Sequence, residues 1–74
     1  MKLPRNLSGF KLIKVLTKNY GWKTHNQSGS HVTLKKEGEK NILTVPLHNN
    51  LDPGTTLSIL RKASVEKDDF LQNL

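Results

Sequence analysis

The spacing of apolar residues changes twice along this chain, and those changes constrain the fold more than any other feature of the sequence. Near the N-terminus apolar side chains recur at helical spacing, whereas in the middle of the chain they alternate with polar ones. One arc of the first segment carries Leu12, Ile13, Val15, Leu16 and Tyr20, and the opposite arc carries Lys11, Lys14 and Lys18. The pattern predicts an amphipathic helix over Gly9–Asn19, with Ser8 as its N-cap and Gly21 as its C-terminal stop.

Three short strand patterns follow the predicted helix. They cover Trp22–Gln27, His31–Lys36 and Asn41–Val45. The second strand alternates most clearly, with Val32 and Leu34 on one face and His31, Thr33 and Lys35 on the other. Glu37–Lys40 is predicted to join the second and third strands as a hairpin connection. Because Pro46 cannot donate a ladder hydrogen bond, it should end the third strand or lie at a sheet edge.

The last third of the chain returns to helical spacing. Asp52 is a suitable N-cap with Pro53 at the first helical position, and apolar periodicity continues over Thr56–Ala63. Ser64 is expected to break this helix and to cap a short terminal helix over Val65–Asn73. The order predicts an α+β fold of the α-β-β-β-α type, with the helices on one face of a three-stranded antiparallel sheet. Double-stranded-RNA-binding domains share this order, and we expect residues 1–74 to form a single domain.

Length and composition exclude several classes of protein. The chain has 74 residues, of which 34% are hydrophobic, so its core must be modest. It contains no cysteine, which excludes disulfides and thiolate metal sites and suits a reducing compartment. No stretch resembles a signal peptide or approaches the length of a membrane span, so we expect neither. We therefore expect a soluble, cytoplasmic protein that does not contact a membrane.

Charge is distributed unevenly along the chain. The formal net charge is +6; residues 1–40 hold nine basic and two acidic side chains, and residues 41–74 hold three and four. A basic half on a small domain indicates a polyanionic partner, most simply nucleic acid, or an acidic protein. Charge alone fits an ordinary solvated surface equally well.

A Gly-Ser-His sequence stands where the second strand begins. If Val32 faces the helices, His31 points to the open face of the sheet. Imidazole titrates near neutral pH and can take up and return protons there. Gly29 tolerates a positive φ, and the amides around Ser30 can form a small anion-binding nest. RNA cleavage requires such a base beside groups that donate hydrogen bonds to the phosphate oxygens. A turn followed by an exposed histidine is nevertheless the commoner meaning of this local pattern.

The remaining candidates for chemistry are weaker. The histidines at positions 25, 31 and 48 lack close spacing and accompany no acidic cluster, so we predict no metal site. His25 is predicted to lie in the first strand opposite Trp22, exposed and able to touch RNA. His48 follows Pro46 in a polar loop, where a hydrogen-bonding role is favoured over catalysis. The aromatic residues are assigned to the core or its rim: Phe10, Tyr20, Trp22 and Phe70.

Several segments, taken together and in order, resemble one protein family. They are LPRNLSGFKLIKVLTKNYGW, QSGSHVTL, ILTVPLH and LDPGTTLSILRKASV, and they cover nearly the whole chain. They are similar to the HicA toxins, small mRNA interferases of toxin–antitoxin systems. The resemblance implies a ribonuclease that needs no metal or other cofactor and has a double-stranded-RNA-binding-like fold. It also implies a HicB-like antitoxin that masks the active surface.

The resemblance assigns the family's catalytic histidine to His31 and its Gly-Ser pair to Gly29 and Ser30. The chain departs from the family pattern after Gly54-Thr55, where leucine and then a basic residue are usual. Here those positions are Thr56 and Leu57, so one cation that would face RNA is absent. Ser64 stands where the family often has glycine.

Together with the resemblance, these observations predict an RNA endonuclease. In it His31 is the general base, and Gly29 and Ser30 position the phosphate. Charge and strand parity make three lysines candidates for backbone contacts: Lys23, Lys35 and Lys36. The general acid stays open among His48, a lysine and water. Two alternatives also stay open: a non-catalytic RNA-binding module of the same fold, and a small domain that binds an acidic protein through its basic face.

Overall fold

The computed structural model describes residues 3–74, and Met1 and Lys2 lie outside that description. The elements in chain order are α1 (Gly9–Asn19), β1 (Lys23–Ser28), β2 (His31–Lys35), β3 (Leu43–Pro46), α2 (Pro53–Lys62) and α3 (Lys67–Gln72). The three strands form one antiparallel sheet in the order β1-β2-β3. The predicted α+β order, including the short terminal helix, is confirmed.

Helix α1 has the predicted bounds because local residues cap both of its ends. The Ser8 hydroxyl accepts a hydrogen bond from the amide of Lys11 at 3.1 Å. At the other end Gly21 has φ +78°, and the amide of Trp22 donates to the carbonyl of Leu16 at 3.2 Å. Glycine is the residue that adopts this left-handed conformation without steric cost, so the helix ends there.

The strands differ slightly from their predicted bounds. β1 begins at Lys23 because Trp22, 1% exposed, turns into the core before the strand starts. β3 is shorter than expected at its start, and Ile42 before it is 50% exposed. Pro46 is the last residue of β3, on an edge strand, as its missing amide requires.

The second helix ends differently from the prediction. Asp52 caps α2 as expected, accepting a hydrogen bond from the amide of Gly54 at 3.0 Å. Ser64 does break the helix, with φ +58°, but it does not cap α3. The N-cap of α3 is Glu66, because Val65 is buried and its amide is bonded back to Leu60 of α2.

The core lies between the helices and one face of the sheet. Its sheet side consists of Val32, Leu34, Leu43 and Val45, and its helix side includes Leu12, Leu16, Leu60 and Phe70. The opposite face of the sheet has no covering element within the described chain, and every residue of β1 is exposed. Both main helices therefore cover one face, as predicted, and leave the other available for a ligand.

The aromatic residues are only partly placed as expected. Trp22 and Phe70 are buried, and Tyr20 lies at the rim. The assignment of Phe10 to the core or rim is wrong, because its side chain is 62% exposed. Phe10 falls outside the apolar arc of α1, on the side that the helix turns away from the sheet.

Candidate functional site

The site is built on the two-residue turn that joins β1 to β2. Ser28 pairs with His31, so Gly29 and Ser30 are the two central residues of the hairpin. Gly29 has φ +60°, and a Cβ there would meet no atom within 4 Å. Glycine is therefore required by the backbone conformation rather than by lack of space, and glycine at the first central position is typical of a type II′ hairpin turn.

The turn leaves hydrogen-bond donors free. The amides of Gly29 and Ser30 donate to no backbone acceptor within residues 3–74. The carbonyl of Gly29 accepts from the Gln27 side chain at 3.3 Å, and the carbonyl of Ser30 accepts from the amide of Leu47 at 2.6 Å. The turn is thus held through its carbonyls, and its amide groups and the Ser30 hydroxyl remain available to an anion.

Strand register places His31 on the open face. Its neighbour Val32 is 4% exposed and lies in the core, so His31, at the opposite parity, points away from the helices and is exposed. His31 pairs with Ser28 on one side and Pro46 on the other. His31 is therefore exposed on the open face and directly follows the two turn residues whose amides are free.

A backbone connection brings His48 to the same end of the sheet. The segment after β3 is tied to the turn by the bond between Leu47 and Ser30, and to α1 by the Gly9 amide, which donates to the His48 carbonyl at 2.9 Å. A Cβ at Gly9 would overlap the Pro46 carbonyl and approach Cα of Leu47 to 3.1 Å. Glycine at this position lets the start of α1 press against the segment that carries His48.

The three candidate lysines do not share one environment. Lys23 and Lys35 are paired directly across β1 and β2 on the open face, at the end of the strands opposite His31. Lys36 follows β2, at the other parity, and its Cε is 3.6 Å from where a Cβ at Gly21 would lie. Register thus places Lys23 and Lys35 with His31, but does not place Lys36 there.

A β-bulge decides which other side chains share this face. The register between β1 and β2 shifts between Thr24 and Asn26, and His25 is the extra residue. Asn26 consequently faces the same side as its partner Thr33. Sequence reasoning missed Asn26 and Ser28, because simple alternation along β1 cannot reveal an unpaired residue.

The main clefts of residues 3–74 do not include His31 in their lining. A cleft of about 450 Å³ lies between β3 and α2, lined by Ile42, Asp52, Ser58 and Lys62 among others, and it contains no histidine. An open sheet face can hold an extended ligand without a cleft, so the sheet face remains the candidate site. Within residues 3–74 no three His, Asp or Glu side chains group as metal ligands. None of the described helices is long and apolar enough to span a bilayer.

The fold and this arrangement define a class: a small α+β domain that presents a basic, histidine-bearing sheet face to its ligand. A family model described as the HicA toxin of bacterial toxin–antitoxin systems matches residues 9–65, well over half of the chain. The chain belongs to the HicA toxin family. No curated protein matches it. Membership gives it the role of toxin in a toxin–antitoxin system and implies an antitoxin as its partner.

Proposed function

We propose that this HicA family member is an RNA endonuclease, an mRNA interferase, that uses His31 as its catalytic residue. The observation that supports this most directly is the position of His31 on the open sheet face. His31 directly follows Gly29 and Ser30, the two turn residues whose amides are free. Cleavage through the 2′-hydroxyl needs at least a proton acceptor beside groups that donate hydrogen bonds to the phosphate.

In this mechanism the neutral imidazole of His31 removes the proton from a ribose 2′-hydroxyl. The 2′-oxygen attacks the adjacent phosphorus; a 2′-O–P bond forms and the P–O5′ bond breaks. The amides of Gly29 and Ser30 and the Ser30 hydroxyl hold the phosphate oxygens while negative charge grows on them. The products are a 2′,3′-cyclic phosphate and a 5′-hydroxyl.

The departing 5′-oxygen must receive a proton. His31 itself can return one after abstraction, and His48, a lysine or water are the other sources. His48 is the accessory candidate that geometry supports best, because its segment is bonded to Ser30 through Leu47. His48→Ala should lower the rate less than His31→Ala if the proton has more than one source.

This proposed reaction uses no metal ion or other cofactor. Cleavage should therefore continue in the presence of EDTA. It should stop on a strand that carries deoxyribose at the cleaved position, because the nucleophile is then absent. Loss of cleavage in EDTA that returns with added Mg²⁺ would contradict this mechanism.

The decisive experiment pairs His31→Ala with His25→Ala. Both histidines are exposed on adjacent strands, but only His31 lies beside the free amides of the turn. Removing a general base typically lowers rate by about 10²–10⁴. His31→Ala should lose RNA cleavage and growth inhibition to that extent, whereas His25→Ala should keep most of both.

Stability and RNA binding serve as controls for this pair. Each variant should keep the free energy of unfolding within about 0.5 kcal/mol of the parent, since both side chains are exposed. His31→Ala should still bind RNA through the lysines and the backbone donors. A folded His31→Ala variant that cuts at the parental rate would remove His31 from the mechanism. If the parent binds RNA but cuts none, the alternative of a non-catalytic RNA-binding module is favoured.

We also propose that the antitoxin acts by covering His31. An inhibitor must compete with RNA for a basic, hydrogen-bonding face, so a HicB-like partner should present an acidic or polar surface there. Binding to the native state should raise the melting temperature of the toxin. A complex that leaves RNA cleavage undiminished would contradict the masking model.

A further inference from the structure

Two lysines face each other on the open side of the sheet. Lys23 and Lys35 are direct partners in the β1–β2 register, which places their Cβ atoms about 5 Å apart. Like charges directly opposite each other destabilise a strand pair. Lys35 has no partner on β3, since that ladder ends at Leu34 and Leu43, and neither lysine has an acidic partner within residues 3–74. An anionic ligand on this face would relieve the repulsion between the two lysines.

The lysine pair lies on the same face as His31 and at a fixed distance from it. His31 and Lys35 are both in β2 and four positions apart, a separation of about 13 Å at roughly 3.3 Å per residue. Between them lies a row of uncharged polar side chains across the three strands: Asn26, Thr33 and Thr44. The face thus has free hydrogen-bond donors for an anion at one end, neutral hydrogen-bonding groups in the middle and two cations at the other end.

We propose that Lys23 and Lys35 form a second phosphate subsite for the RNA whose cleaved phosphate lies at His31. This deepens the proposed function and rests on it. A single strand would run along β2, with sugars and bases over Thr33 and its neighbours. At about 3.4 Å per nucleotide when stacked, and more when extended, 13 Å corresponds to about two to four nucleotides.

Charge spacing favours RNA over an acidic protein segment as the occupant. A nucleic acid strand supplies phosphates at regular intervals separated by neutral sugars and bases, and the face repeats that order. The neutral row also fits the need for hydrogen bonds to sugars and base edges, which carry no net charge. An antitoxin segment could occupy the same lysines, so the test must distinguish RNA binding from antitoxin binding.

The test measures binding with RNA that cannot be cut. Uniformly 2′-O-methylated oligoribonucleotides of about two to about ten nucleotides lack the nucleophile but keep the phosphate spacing. Affinity should rise in a step once an oligonucleotide spans from the turn to the lysine pair. The double variant Lys23→Thr with Lys35→Thr should lose that step, and its plot of log affinity against log salt should flatten by roughly 0.7 for each lost phosphate contact.

A charge-matched control separates a subsite from general attraction. Lys11→Ala with Lys14→Ala removes the same charge from the exposed side of α1, in the other layer of the molecule. This control should keep the length step and the salt slope. If both double variants lose affinity equally, or if affinity rises smoothly with length in the parent, the subsite is refuted.

A stability measurement distinguishes a binding role from a structural one. Lys23→Thr removes the repulsion and should raise the melting temperature of the free protein slightly while it weakens binding to long oligonucleotides. A lysine needed for the fold would lower both. If the lysine variants bind RNA like the parent but lose the antitoxin, the pair belongs to the antitoxin interface and the proposal fails. Failure of the catalytic assignment would leave these results unchanged, since no step of the assay requires cleavage.

Discussion

Replacing Ser64 by glycine should stabilise this protein, although serine to glycine usually does the opposite. Ser64 has φ +58° and lies just after α2. Its amide donates to Arg61 at 3.1 Å, and the amide of Val65 donates to Leu60 at 2.9 Å. This pair of bonds is the Schellman motif, in which the residue at the Ser64 position must be left-handed and is usually glycine.

The magnitude follows from two opposing terms. A side chain in the left-handed region costs about 1–2 kcal/mol, and glycine removes that cost. Glycine also makes the unfolded chain more flexible, which costs about 0.4–1 kcal/mol. The net gain should be about 0.5–1 kcal/mol. With an unfolding entropy of about 2.1 cal/mol/K per residue, a chain of 74 residues should melt about 3–6 °C higher.

Thermal and urea unfolding of Ser64→Gly and Ser58→Gly would test this reasoning with the same chemical change at two sites. Ser58 is exposed inside α2, where glycine should lower the free energy of unfolding by about 0.5 kcal/mol. Ser64→Ala keeps the strained backbone and should bring no gain. If Ser64→Gly lowers the melting temperature as Ser58→Gly does, the strain assigned to Ser64 is absent.

Three other features make sharp predictions. Thr56 is fully buried, and its hydroxyl has no hydrogen-bond partner within residues 3–74. Thr56→Val should therefore raise the free energy of unfolding, measured in urea, by about 1 kcal/mol. Thr55→Val, at an exposed position, should change it little. Gly9→Ala should lower stability by about 2 kcal/mol or more, because the new Cβ would overlap the backbone at the end of β3; a neutral result would contradict that contact. Burial, and then the hydrogen bond to Asp69, raise the pKa of Tyr20 above its ordinary value of about 10. Stability from the neutral phenol is therefore complete below pH 10 and lost as pH rises through the raised value, so the melting temperature of Tyr20→Phe should fall less steeply than that of the parent above pH 10.

The parts of the fold that sequence predicted well depend on local interactions. Helix α1 begins and ends where its own capping residues, Ser8 and Gly21, require. The face of His31 followed from alternation with Val32, which is a property of β2 alone. Such features are set by neighbours in the chain, so they can be read without knowledge of the partner elements.

The parts that sequence predicted poorly depend on distant partners. The bulge at His25 is defined by the register of β1 against β2, and it decides that Asn26 shares the face of His31. α3 begins later than predicted because Val65 is buried and its amide donates a hydrogen bond back to α2. Phe10 is an exception, since a helical wheel already places it outside the apolar arc of α1, and its exposure could have been predicted.

The features proposed for function lie where they disturb the core least. β1 is exposed along its whole length and is held through its pairing with β2, whereas the buried residues of the sheet belong to β2 and β3. The left-handed glycine, the free amides and the opposed lysines all occur on the β1–β2 hairpin. Because few buried contacts anchor β1, it should be among the first parts of the sheet to open, and a ligand across the hairpin would hold it closed. RNA and the antitoxin would then compete for the same surface, and each should stabilise the same weakly held strand.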